Sequence, residues 1–282
     1  MSYDEKITRV CEYISQNLDE EMTLEQLSNV AALSRFHFHR VFSAHTRLSL
    51  FRYIQLARLK RASFQLAFKK DLRIIDIALT AGFESPESFA RAFKRTFGQT
   101  PTQFRKKPDW SAWHSKFSFT LPRGEKSMDV KIIDLKETKV ALIEHRGAPQ
   151  RVYETSAKFI EWRKKTGLSP VKTSKTFGIG YDDPNTTPAE DFRFDICGSV
   201  DQDIPENSYD IKMSVIPGGR CAVVRHKGSL DNVADSVYYL YRDWLPQSGE
   251  ELRDFPCIFE YLNFIPDVEE CDLLTDVYLP LK

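Results

Sequence analysis

The chain has 282 residues, 41% of them hydrophobic and 28% charged, with a formal net charge of zero. That length suits two domains, each able to bury its own core. Apolar runs such as VALI and CAVV fall far short of the ~18 residues a membrane helix needs, and the charged start MSYDEKITRV has no apolar stretch of a secretory signal.

The first 107 residues predict helices. In DEKITRVCEYISQNL, Ile7, Val10, Cys11 and Ile14 share one face at helical spacing. TLEQLSNVAA opens with Thr23 as N-cap and Gln26 three residues on, a capping-box pattern. Ser34 can cap a helix running to about His45, and a long amphipathic run follows from 48 to 68. RIIDIALTAGF and SPESFARAFKRTFG predict two more helices around Gly82, the last stopped by Gly98 and Pro101.

This part repeats itself at an offset of 51 residues: Ser34 matches Ser85, Phe38-x-Arg40-x-Phe42 matches Phe89-x-Arg91-x-Phe93, and Tyr53 matches Phe104. In the preceding helix the same offset sets Leu24 and Leu27 against Ile75 and Ala78. Each copy reads helix, short turn, helix, the layout in which the second helix enters a DNA major groove. A helical hairpin used only for packing has the same pattern. Charge favours the DNA reading: residues 22–107 hold 16 Lys and Arg against 5 Asp and Glu, whereas 109–282 hold 22 against 29. A balance that basic suits a polyanion.

The segment AGFESPESFARAFKRTFGQTPTQFR carries glycine-phenylalanine, serine, phenylalanine-x-arginine-x-phenylalanine-lysine and glycine-x-threonine-proline in order. Over about residues 5–106 the sequence resembles the AraC/XylS family of bacterial transcription regulators. Phe104 stands where that family more often has tyrosine, and His45-Thr46-Arg47 lacks the glycine that often ends its first recognition helix.

Helical geometry alone assigns the faces. Phe38, Val41, Phe42 and His45 share the core face of the first recognition helix; Phe36, His39, Arg40 and Ser43 lie opposite, with Arg35 at the start. In the second, Phe89, Ala92 and Phe93 are core, leaving Glu87, Ala90, Arg91 and Lys94 outward beside Pro86. The resemblance implies that these outward positions touch bases and backbone. Lys94, Arg95, Lys60 and Arg61 suit phosphates, which add affinity but little sequence information. Arg40 and Arg91 occupy equivalent sites, so a shared structural role is the competing reading. His37 and His39 lie about 200° apart on a helix, which sets HFH apart from a metal chelate.

From Lys106 to Met128 prolines, a glycine and a reversal of charge mark a boundary. The expected division is a double helix-turn-helix domain over 1–107, a linker over 108–127 and an α+β domain over 128–282. In that last domain DVKIIDLKETKVALIEHRG has two strand-like segments, VYETSAKFIEWRKKTG is helical, and TFGIGYDD and DFRFDICGSV read as strands. A second duplication, at an offset of 81, sets VALIEHRG (140–147) on CAVVRHKG (221–228) and TFGIGY (176–181) on CIFEYL (257–262). Two pseudo-symmetric β-α-β-β repeats with a cleft between them are expected. His145 and His226, before glycines at strand ends, suit structural or turn roles.

The pieces YDDP, FRFDIC, IPGGRCAVVRHKGS, YRDWLPQSG, FEYLN and VYLPLK, in that order, resemble the GyrI-like effector-binding module over about 128–282. In a strand Ile258, Glu260 and Leu262 face one way, as do Phe177, Ile179 and Tyr181 in the other repeat. The resemblance implies that Glu260 sits in an aromatic pocket for cationic or amphipathic ligands, with Tyr181, Tyr238 and Trp244. An edge-strand glutamate in water beside core aromatics is the competing reading.

The chain is therefore expected to be a cytoplasmic DNA-binding regulator whose partners are double-stranded DNA, a small-molecule effector and, for an activator, RNA polymerase. No membrane, metal, cofactor or catalytic residue enters this expectation. Five widely spaced cysteines without CxxC agree with reduced thiols. The alternatives are a C-terminal small-molecule hydrolase, in which Glu260 orients a water, or a protein-inhibitory module. No nucleophile elbow, P-loop, dinucleotide fingerprint or HExxH supports the hydrolase.

Overall fold

A computed structural model describes residues 3–110, 128–265 and 267–282, apart from the side chain of Phe36. The chain forms two compact units, Met1–Ser127 with Ile265–Asp272, and Met128–Phe264 with Leu273–Lys282. Among the described residues no helix is long and apolar enough to cross a membrane.

The first unit begins with α1 (Tyr3–Gln16), α2 (Leu24–Val30), α3 (Arg35–Thr46) and α4 (Leu50–Phe68). Ile7, Val10 and Ile14 of α1 meet Leu27, Phe38, Phe42 and Tyr53 in one core. The caps follow the sequence: Thr23 and Gln26 form a reciprocal capping box, and Ser34 and Ser49 accept from His37 and Arg52 backbone N–H groups. The second motif is α5 (Ile74–Thr80) and α6 (Pro86–Phe97), which stops at Gly98 as expected, followed by a short α7 (Pro101–Lys106). Thr100 and Gln103 restart the helix with a second capping box.

Helices α3 and α6 keep the offset of 51, but α2 and α5 stand 50 apart. The hydrogen bonds that close the two helix ends, Leu33 to Ser28 and Phe83 to Ala78, are also 50 apart. Thus Leu27 corresponds to Ile77, both buried, rather than to Ala78, and Ile75 is exposed. The second turn is longer by one residue.

Phe93, Phe97 and Phe104 pack ring against ring, and Trp110 joins them at 5.1 Å from Phe104. Trp110 was expected in a linker; it is 1% exposed and also touches the rings of Phe64 and Phe68. A large aromatic surface outweighs the loop character of its neighbours. Residues 111–127 of the expected linker lie outside the described residues.

The second unit is one eight-stranded antiparallel sheet in the order β1-β6-β8-β7-β3-β4-β2-β5. The strands are β1 (Val130–Leu135), β2 (Thr138–Arg146), β3 (Thr176–Gly180), β4 (Arg193–Ser199), β5 (Lys212–Ile216), β6 (Gly219–Lys227), β7 (Cys257–Tyr261) and β8 (Leu274–Pro280). A shift of 81 residues carries β2, β3 and β4 onto β6, β7 and β8 and most of β1 onto β5, and the order then reads the same from either edge. Each segment is β-β-α-β-β, one leading strand more than the expected β-α-β-β. That leading strand pairs away from its own segment, β1 with β6 and β5 with β2.

Helices cover one face. α8 (Val152–Thr166) packs Phe159 and Trp162 on Ala141, Ile143 and Ile196. α9 (Val233–Tyr239), continued by a π-helical turn Leu240–Trp244, packs Val233, Val237 and Leu240 on Ala222, Val224 and Val277. Strand alternation sends Phe177, Ile179, Cys197, Ile258 and Tyr278 to the other face.

Candidate functional site

Both α3 and α6 bury the predicted side: Phe38, Phe42, Phe89 and Phe93 are fully buried and Ala92 nearly so. Val41 is half-buried. On the other side His39, Arg40, Glu87, Arg91, Lys94 and Arg95 are exposed, and Ser43, Pro86 and Ala90 are half-buried beside them. Arg35 is exposed and pairs with Glu25 of α2 at 2.7 Å. Phe36 lies in α3, but its side chain is outside the described set. Among the described residues Arg40, Arg91, Lys94 and Arg95 have no ion-pair partner.

Three expectations are corrected here. Lys60 is 7% exposed and pairs with Glu270, while Arg61 binds Asp19, Glu269 and the Thr80 carbonyl. Both belong to the internal charge network of the first unit, because the acids of 265–272 and the α1–α2 loop reach them. His45, placed on the core face by helical angle, is half-buried and sits 2.8 Å from Asp4 of α1. His37 is exposed; Phe38 and Phe42 already fill the space beneath α3.

Arg58 of α4 ties the first unit from within, donating to the carbonyls of Leu18 and Glu20. A Cβ at Gly82 (φ 73°) would meet the Arg58 guanidinium. Glycine there serves both the left-handed turn and this close approach.

In the second unit the face opposite the helices carries three buried carboxylates: Asp195 on β4, Glu260 on β7 and Asp276 on β8. Each has a cation. Asp195 accepts from Arg146 at 2.7 Å and from the Tyr181 hydroxyl at 2.8 Å. Asp276 is gripped at both oxygens by Arg225, at 2.7 and 2.8 Å. Glu260 accepts from the Tyr278 hydroxyl at 2.7 Å and pairs with the Lys175 ammonium at 2.9 Å. Burial first, and then the carboxylate each hydroxyl donates to, pushes the Tyr181 and Tyr278 phenols up. Both remain hydrogen-bond donors at neutral pH.

Across the strands Glu260 stands opposite Phe177 on β3 and Asp276 on β8. Its surroundings are thus two aromatic rings and a second carboxylate, and the competing picture of a solvated edge glutamate does not apply to a group 6% exposed. The expected set of four is separated. Tyr181 shares the face but bonds Asp195. Trp244 packs into the cluster beneath α9, with Phe259 and Val277, on the other face. Tyr238 donates to Asp183 and accepts from Asn185, under the Arg242 guanidinium at 4.5 Å. Sequence reading missed Phe177 and Tyr278 as neighbours of Glu260 because that adjacency needs the β3-β7-β8 order.

His145 and His226 are held alike. Their Nδ1 atoms accept from Thr155 and Ser236 hydroxyls at 2.8 and 3.0 Å, while Nε2 donates to backbone carbonyls of Gly147 and Ala148, or of Ser229. Both ring nitrogens are engaged, which leaves none to act as a base. Beside His145 lies a cleft of about 380 Å³, lined by Arg146, Arg151, Glu154 and Lys212, whose charges pair locally. Cys11, Cys197, Cys221 and Cys257 are buried free thiols; burial pushes those of Cys11 and Cys257 up to about 12.

Residues 128–282 match the model of the GyrI-like small molecule binding domain, and residues 27–107 match that of a helix-turn-helix domain. The chain is 50% identical over 155 residues to the probable transcriptional regulator YgiV of Escherichia coli (strain K12), covering 55% of this chain and 97% of that protein. It is 39% identical over 105 residues to the uncharacterized HTH-type transcriptional regulator YbfP of Bacillus subtilis (strain 168), 37% of this chain and 35% of that one. The crystal structure of the EcmrR C-terminal domain superposes with a TM-score of 0.45 at 18% identity, covering 55% of this chain and 98% of that one. The chain belongs to the GyrI-like family, with an AraC-type helix-turn-helix domain ahead of the small-molecule-binding domain, and is a DNA-binding transcription regulator.

Proposed function

We propose that α3 and α6 enter two successive major grooves of one DNA duplex while the second unit binds an amphipathic cation at Glu260. The observation that carries the first part is the matched pair of outward faces 51 residues apart, with Arg40 and Arg91 both exposed. Arginine bonds bidentately to guanine, and histidine or small polar groups adapt to several base edges. Helix α4, at 19 residues, is roughly 28 Å long, and successive grooves on one DNA face lie about 34 Å apart. One polypeptide then reads an asymmetric site of about two turns, with Lys94 and Arg95 on phosphates. Footprinting on selected binding sites tests this. Protection of two adjacent turns, lost at one turn in Arg40→Ala and at the other in Arg91→Ala, is expected; a single protected turn contradicts it.

The second part rests on Glu260 beside Phe177 and Tyr278. A cation held against aromatic faces and a buried carboxylate gains from both. The matching order of strands under a shift of 81 supports two pseudo-symmetric repeats, with β3 and β7 meeting at the seam that carries Glu260. Occupancy of that seam modulates DNA binding, and an activator of this kind would contact RNA polymerase. Titration with lipophilic cations, and its loss in Glu260→Gln, tests the site.

A further inference from the structure

We infer that Lys175 is a tethered counter-ion that occupies the cation position of the Glu260 site and competes with the ligand. The inference rests on the reading of Glu260 as a cation site and adds the residue that sets its affinity and selectivity.

The three buried carboxylates of this face differ in how their charge is balanced. Asp276 is clamped at both oxygens by one guanidinium, and Asp195 is held by Arg146 and the Tyr181 hydroxyl together. Such arginine contacts are fixed in direction and hard to replace. Glu260 is the exception. Its Oε2 accepts from Tyr278, and among the described residues Oε1 meets the Lys175 ammonium alone, a single contact at 2.9 Å.

Lys175 is built to leave. Its side chain is 58% exposed, whereas that of Glu260 is 8% exposed. Its backbone is anchored: the amide donates to the Ser199 hydroxyl, and the carbonyl accepts from the Ser199 amide. The root is therefore fixed while a flexible stem of four carbons carries the charge. The ammonium also lies 5.9 Å from the centre of the Phe177 ring. A carboxylate on one side and an aromatic face near the other are the contacts an amphipathic cation would make.

An internal competitor lowers apparent affinity by the fraction of time the site stands open. It also screens ligands. An ordinary hydrated cation gains little over the lysine already there, while a cation with large apolar groups adds apolar contact around Phe177 beyond the single approach of the Lys175 ammonium. The displaced ammonium returns to water at little cost because its side chain is more than half exposed.

Binding of tetraphenylphosphonium to the full-length protein, measured by calorimetry for wild type, Lys175→Met, Lys175→Arg and Glu260→Gln, tests this, with thermal melting of each variant as the check on folding. Lys175→Met is expected to bind about tenfold more tightly than wild type, Lys175→Arg no more tightly, and Glu260→Gln not measurably. Equal affinity of Lys175→Met and wild type, with binding lost in Glu260→Gln, overturns the competitor and leaves the cation site standing. Weaker binding by Lys175→Met also overturns it. Absence of binding by both wild type and Lys175→Met, in folded protein, overturns the site and the inference together.

Discussion

Arg47 ends α3 in the left-handed conformation (φ 57°) that Gly98 adopts (φ 76°) at the end of α6. A side chain in that region is strained by roughly 1 kcal/mol, a strain glycine avoids. Arg47→Gly is therefore expected to raise the stability of the first unit by up to about 1 kcal/mol, read from urea unfolding. A lower midpoint would mean that the arginine side chain contributes more than its backbone strain removes.

The basic residues divide into committed and available charges. Lys60→Gln is expected to leave the slope of DNA affinity against salt unchanged while lowering the melting temperature, because its partner Glu270 is left partly buried. Lys94→Ala should reduce that slope by about 0.9 for the lost phosphate, with little change in melting. Reversal of the two results would return Lys60 to the DNA interface.

Burial, ahead of any other influence, holds the His145 imidazole below its ordinary value of 6.5. The unfolded chain then takes up this proton before the folded one does. The stability linked to the group is complete above 6.5 and falls as acid protonates the unfolded imidazole. Calorimetric melting between pH 8 and pH 5 should show the second unit losing stability on the acid side, and His145→Asn should flatten that limb while lowering the plateau. An unchanged pH profile in the variant would refute the assignment.

Trp110 closes the aromatic stack of Phe64, Phe68 and Phe104. Trp110→Ala is expected to destabilise the first unit by about 3–5 kcal/mol, and Trp110→Phe by clearly less. Loss of under about 1 kcal/mol in the alanine variant, by chemical denaturation, would remove Trp110 from the core.

Local features were legible in the sequence. Thr23 with Gln26 and Ser34 announce their helices because capping is decided within four residues. The buried phenylalanines of α3 and α6 follow from helical period alone. The extra residue in the second turn is not visible this way, since either alignment of Leu27 gives an apolar match. The commitments of Lys60 and Arg61 depend on acids some 210 residues away, and no local pattern reports them. The same holds for Glu260: its aromatic neighbours come from β3 and β8, so Phe177 and Tyr278 emerge only with strand order. Trp244 was misplaced because a helical aromatic signals burial without saying on which side of the sheet.

Each edge strand of the second unit is lent across the sheet: β1 closes on β6 and β5 closes on β2. Neither half of the chain in this domain therefore holds all of its own sheet. Cutting the chain between β4 and β5 would leave β2 with a bare edge in one piece and β6 with a bare edge in the other, and each would need the other to become soluble. The seam between β3 and β7 is consequently bounded on both sides by strands that cross it in sequence. The partners that close the sheet, some 90 residues apart at Val130 and Val224, make it a slow structure to assemble.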